Sequence, residues 1–94
     1  MIGGQHTVSN SAKALDSNTT TPCRQITIRA NAGTSIMYFG GSNVTAVPAN
    51  AHGYLNAGES WTFGPFSPGS GIKPSDIYII GTASDVLFWS GIPS

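Results

Sequence analysis

From residue 23 onward, apolar and polar positions alternate with a period of two, and nowhere does a 3.6-residue period last for a helical length. Residues 23–30 (CRQITIRA) put Arg24, Ile26, Ile28 and Ala30 on one side and Cys23, Gln25, Thr27 and Arg29 on the other, which predicts a half-buried strand. A turn through Asn31 and Gly33 leads to residues 35–39 (SIMYF), which are apolar on both sides. Gly40-Gly41-Ser42 then reads as a hairpin turn, and residues 43–47 as a short strand stopped by Pro48. Residues 49–58 read as a loop anchored by Tyr54 and Leu55, and residues 60–63 (SWTF) as the next strand. A glycine- and proline-rich loop over residues 64–75 precedes two final strands, 76–81 (DIYIIG) and 85–89 (DVLFW). In both, each side is apolar: Ile77 and Ile79 oppose Tyr78 and Ile80, and Val86 and Phe88 oppose Leu87 and Trp89.

Residues 1–22 carry little periodicity beyond a possible short strand near residues 13–15. They are rich in Ser, Thr, Asn and Gly, with isolated apolar points at Ile2, Val8 and Leu15. This segment is expected to be an extended N-terminal arm that matters more for attachment than for folding. About six to eight short strands with frequent turn signals then predict an all-β fold for residues 23–94, a small β-sandwich of jelly-roll or Greek-key type. A chain of 94 residues has room for that one domain alone.

Each sheet of a sandwich turns only one face inward, so strands that are apolar on both sides exceed what one core uses. Shielding by loops would absorb some of the excess. An interface with further copies or a partner would absorb more, and Tyr, Trp and Met are enriched at interface cores. The candidate interface residues are therefore Met37, Tyr38, Tyr78, Leu87 and Trp89, with Ile2, Val8 and Leu15 on the arm.

Charge sharpens the picture. Only 9% of residues are charged, against about 25% in ordinary domains, and four basic and four acidic residues cancel. The basic residues are scattered, which argues against nucleic-acid binding. No apolar run approaches the length of a membrane span, and the first residues lack a secretory pattern. With one cysteine, Cys23, there is no internal disulfide, as suits a chain made in a reducing cytoplasm. His6 and His52 share no ligand spacing with Cys23 and read as surface or loop residues, so no metal or cofactor is expected. Glu59, Asp76 and Asp85 sit at turns and strand starts, and no nucleophile, base and orienter converge in sequence, so no enzymatic role is expected.

Residues 24–89 resemble small all-β structural proteins of tailed bacteriophages, of the head decoration (cement) kind. The resemblance rests on Phe39-Gly40-Gly41-Ser42-Asn43-Val44-Thr45, on Leu55-Asn56-Ala57-Gly58-Glu59-Ser60 and on Ile77-Tyr78-Ile79-Ile80-Gly81-Thr82. It implies a virion structural protein on the capsid surface that binds and stabilises the lattice of the major capsid protein. With the surplus apolar faces, it leads to the expectation of a homo-oligomer, a trimer ahead of a dimer, bridging coat subunits through its arms. Two other readings stand beside it. One is a carbohydrate-binding or host-recognition module using Trp61 or Trp89 as a platform; the other is a head–tail connector or tail component.

Overall fold

The structure, a computed structural model, describes residues 1–45, 51–67 and 71–94. Among the described residues are eight strands: β1 (Ile2–Thr7), β2 (Lys13–Ala14), β3 (Cys23–Ala30), β4 (Met37–Gly40), β5 (Gly53–Leu55), β6 (Ser60–Phe63), β7 (Tyr78–Ile80) and β8 (Val86–Pro93). A 3-10 turn at Pro74–Asp76 precedes β7. The strands form two four-stranded antiparallel sheets, ordered β1-β8-β3-β6 and β2-β7-β4-β5. First pairs with last (β1 with β8), then β2 with β7, β3 with β6 and β4 with β5. A chain doubled back on itself in this way, with its pairs shared alternately between two sheets, is a jelly roll.

Alternation decides what fills the space between the sheets. Ile26, Ile28 and Ala30 of β3 meet Leu87 and Trp89 of β8 from one side, and Met37, Phe39, Leu55, Ile77 and Ile79 from the other sheet complete the layer. Cys23, expected on the solvent side of β3, is fully buried. The reason is a bulge between Cys23 and Gln25, which turns Cys23 inward as well. Gly91, opposite Ile26 on β8, is needed small, because a Cβ there would lie 2.9 Å from the Cys23 sulfur. Gly53 plays the same part in the other sheet, where a Cβ would come within 2.8 Å of the Phe39 ring.

Residues 1–22 are extended, but they are not a free arm. β1 pairs with β8 along its whole length, from Ile2 opposite Gly91 to Thr7 opposite Val86. β2 pairs with β7 in the second sheet. Val8 and Leu15, expected to dock on a partner, are 2% exposed and belong to the core. Their backbones are tied in by Val8 N–H to Asp85 O at 2.8 Å and Leu15 N–H to Ile77 O at 2.7 Å. The segment looks arm-like in sequence because its strand partners lie at the far end of the chain. Other boundaries shift modestly: β5 forms where a loop was expected, and β8 runs on through Ser90, Gly91, Ile92 and Pro93. Of the strand expected at residues 43–47, residues 43–45 form no strand and the rest lies outside the described residues, as does the tip of the loop after β6.

His6 joins the two N-terminal strands. It is buried rather than at the surface, and its Nδ1 donates to the Leu15 carbonyl at 3.2 Å. Its Nε2 is buried with no hydrogen-bond partner among the described residues. Burial pushes the imidazole below its ordinary value of 6.5, opposed by the Leu15 carbonyl and the nearby Asp16 charge.

Two outcomes follow from this architecture. Deleting residues 2–8 should destabilise the fold severely, since burying one valine side chain is worth about 1.5–3 kcal/mol in a domain of typically about 5–15 kcal/mol. Urea unfolding with an unchanged midpoint would show instead that the segment is a passive tail. For His6, the unfolded chain takes up a proton more readily than the folded one, so stability should be level above pH 6.5 and fall as the pH drops below it. In His6→Leu, melting temperatures between about pH 5 and 7 should lose that slope; an equal slope in the variant would place its origin elsewhere.

Candidate interaction surface

The outer faces of the two sheets differ in chemistry. Outward positions on the first sheet form cross-strand rows, because directly opposed residues share a face. One row is Gln5, Phe88, Arg29 and Ser60; the next is Gly3, Ser90, Thr27 and Thr62. The Thr27 and Thr62 hydroxyls are hydrogen-bonded at 3.0 Å. Apart from exposed Phe88, these two rows are polar and suited to water.

On the second sheet, the inward residues Met37, Phe39, Leu55 and Ile79 leave their neighbours Tyr38, Tyr54, Tyr78 and Ile80 facing out. Register aligns Ile80, Tyr38 and Tyr54 across β7, β4 and β5, while Tyr78 lies opposite Ala14 on one side and Gly40 on the other. The Tyr38 and Tyr54 rings lie 6.1 Å apart at 48°. All 3 tyrosines of the chain thus share this face, and none of its side chains carries a formal charge. Tyr54 is 53% exposed, and Ile36, immediately before β4, is exposed beside it. Tyrosine suits such a position: the ring offers apolar area and the hydroxyl a polar tip.

Among the residues expected at an interface, Tyr38 and Tyr78 lie half-buried on this outer face. Ile2 is half-buried and packs against the core from β1. Val8, Leu15, Met37, Leu87 and Trp89 are instead inside the sandwich. For β8 the two sides are reversed: Leu87 and Trp89 point inward, and Val86 and Phe88 point out. A strand apolar on both sides contains no local signal of which side is the core. Here the register decides, setting Leu87 opposite Ala30 and Trp89 opposite Ile28. Tyr54 was missed as a surface residue because a strand of three residues is too short to show alternation.

A third surface lies where the edge strands β5 and β6 meet. Trp61 and Phe63 stand opposite Ile28 and Ile26 of β3, and so reach over the open side of the core. There they form an aromatic cluster with Phe39 and His52: Phe39 lies 5.5 Å from Trp61 and 5.6 Å from Phe63, and His52 lies 5.7 Å from Trp61. Clefts flank the cluster. One of about 250 Å³ is lined in part by His52, Phe63, Ile72 and Asp76, and one of about 270 Å³ by Tyr54, Leu55, Asn56, Glu59, Ser60 and Trp61.

The carboxylates of Glu59, Asp76 and Asp85 have local structural partners. Glu59 accepts from the Asn56 backbone at 2.7 Å, Asp76 from the Lys73 backbone at 3.1 Å, and Asp85 from the Ser35 backbone at 2.9 Å. Each closes a turn or ties two segments together. Burial pushes the Cys23 thiol pKa up, disfavouring the nucleophilic thiolate. Among the described residues, no three His, Cys, Asp or Glu side chains gather in a way that could hold a metal ion. No helix among the described residues is long and apolar enough to cross a membrane.

Compared with protein-family models, curated proteins and solved structures, the chain matches none of them.

Proposed function

We propose that this protein is a virion structural protein of a tailed phage, a decoration module that binds the coat lattice of the head through the outer face of its second sheet. The observation that carries this reading is the uncharged face of Tyr38, Tyr54, Tyr78 and Ile80 on an otherwise charge-poor sandwich. Tyrosine is among the residues that dominate binding energy at protein interfaces, and a face without charges avoids the cost of burying them unpaired. Fold-level analogy points the same way, since jelly rolls recur in viral capsid domains, although a fold by itself does not assign a function. With β1 and β2 committed to the two sheets, bridging belongs to the body of the module and not to a free arm. Copies joined as a homo-oligomer, with a trimer favoured, would then hold the lattice through several modest contacts acting at high effective concentration.

The double variant Tyr38→Ser/Tyr78→Ser tests this surface. Both side chains point away from the core, so its melting temperature should stay close to that of the parent chain. Co-sedimentation with assembled heads should weaken by at least about tenfold, the scale of one interface anchor lost. Attachment of the parent should survive about 0.5 M NaCl, where charges are screened within a few ångströms. Undiminished binding by the variant, or loss of parent binding by orders of magnitude in salt, would sink the assignment.

A further inference from the structure

The cleft between β5 and β6 has the makings of a ligand site. Trp61 is 42% exposed, and its indole is held in place by Phe39 at 5.5 Å and 43° and by His52 at 5.7 Å and 80°. Its position is therefore set by the core. Beside it, the turn from Asn56 to Glu59 is locked. The Asn56 backbone and side-chain amides both donate to Glu59 Oε1, at 2.7 and 3.0 Å, and Glu59 N–H donates to Asn56 O at 3.0 Å. Asn56 Oδ1 and Glu59 Oε2 then have no hydrogen-bond partner among the described residues. With exposed Tyr54 and Ser60, these groups line a volume of about 270 Å³. That is just below the usual range for small-molecule pockets, of about 300–1,000 Å³, and suits one ring-sized unit.

We infer that this cleft binds a single neutral pyranose unit of a glycan. A pyranose presents an apolar C–H face and a rim of hydroxyl donors. The face lies against the Trp61 indole and the Tyr54 ring, and the hydroxyls donate to Glu59 Oε2 and Asn56 Oδ1. A wholly apolar ligand would desolvate the carboxylate and the amide without replacing their hydrogen bonds with water. An anionic ligand would meet the Glu59 carboxylate, with no lysine or arginine among the described lining residues to offset it. A neutral polyhydroxylated ring meets both demands. The site borders the proposed coat-binding face and shares Tyr54 with it, but it rests on Trp61, Asn56 and Glu59, which lie outside that face.

Titration of the isotope-labelled full chain with cellotriose, maltotriose and chitotriose, followed by NMR, tests the inference. At least one sugar should bind with a dissociation constant of about 1–10 mM or tighter, as befits one ring-sized contact. It should shift the Trp61 indole N–H and the Asn56 side-chain amide while leaving the indole of buried Trp89 in place. Trp61→Ala should weaken binding about tenfold or more, on the scale of a lost aromatic anchor. Glu59→Gln keeps the turn's acceptor but replaces Oε2 with a donor, and should weaken binding severalfold with the fold intact. Tyr38→Ser/Tyr78→Ser should bind sugar like the parent. The inference is overturned if none of the three sugars moves those resonances, if the shifts persist in both cleft variants, or if a sulfated trisaccharide produces them equally well.

Discussion

β3 and β8, 8 residues each, run side by side through the middle of the first sheet, and the rest of the molecule is arranged around what that pair requires. Their inward residues, Ile26, Ile28 and Ala30 with Leu87 and Trp89, form one wall of the core. Once Leu87 and Trp89 face inward, Val86 and Phe88 must face out, and β8 offers its far edge to β1. The bulge at the start of β3 buries Cys23 against Gly91, which ties the end of the chain to the same wall. The second sheet covers the layer with Met37, Phe39, Leu55, Ile77 and Ile79, and that requirement sends the tyrosines outward. The outer face proposed for binding is thus a consequence of how the core is filled.

Much of this was legible in the chain. Clean alternation located β3 and β6 to the residue, and the apolar runs located β4, β7 and the first part of β8. What local pattern could not show was pairing at long range. β1 contains Gly3 and Gly4 and has one buried residue, His6, so it resembles a loop until β8 is placed beside it. The same limit reversed the two sides of β8 and left Val8, Leu15, Met37, Leu87 and Trp89 among the interface candidates when the core needed them. Tyr38 and Tyr78 are the candidates on these strands that the core does not claim, since their neighbours Met37, Phe39, Ile77 and Ile79 fill it. The cleft beside Trp61 was not legible, because it joins edge strands of different sheets and exists only once the sandwich has closed.

The described surface therefore divides into regions with different chemistry: a hydroxyl-rich face on the first sheet, an uncharged tyrosine face on the second, and an aromatic cleft with an amide and a carboxylate at the edge between them. A protein with 9% charged residues has little electrostatic means of choosing a partner, so shape and aromatic contact must supply the specificity. That places the weight of the functional account on the tyrosine face. The most direct measurement is a cryo-EM reconstruction of phage heads carrying this protein, at a resolution that orients the sandwich. The account predicts the β7-β4-β5 face against the coat subunits, with Tyr38, Tyr54 and Tyr78 in contact and the β1-β8-β3-β6 face turned to solvent. A reconstruction with the tyrosines in solvent and the hydroxyl-rich face on the coat would contradict it.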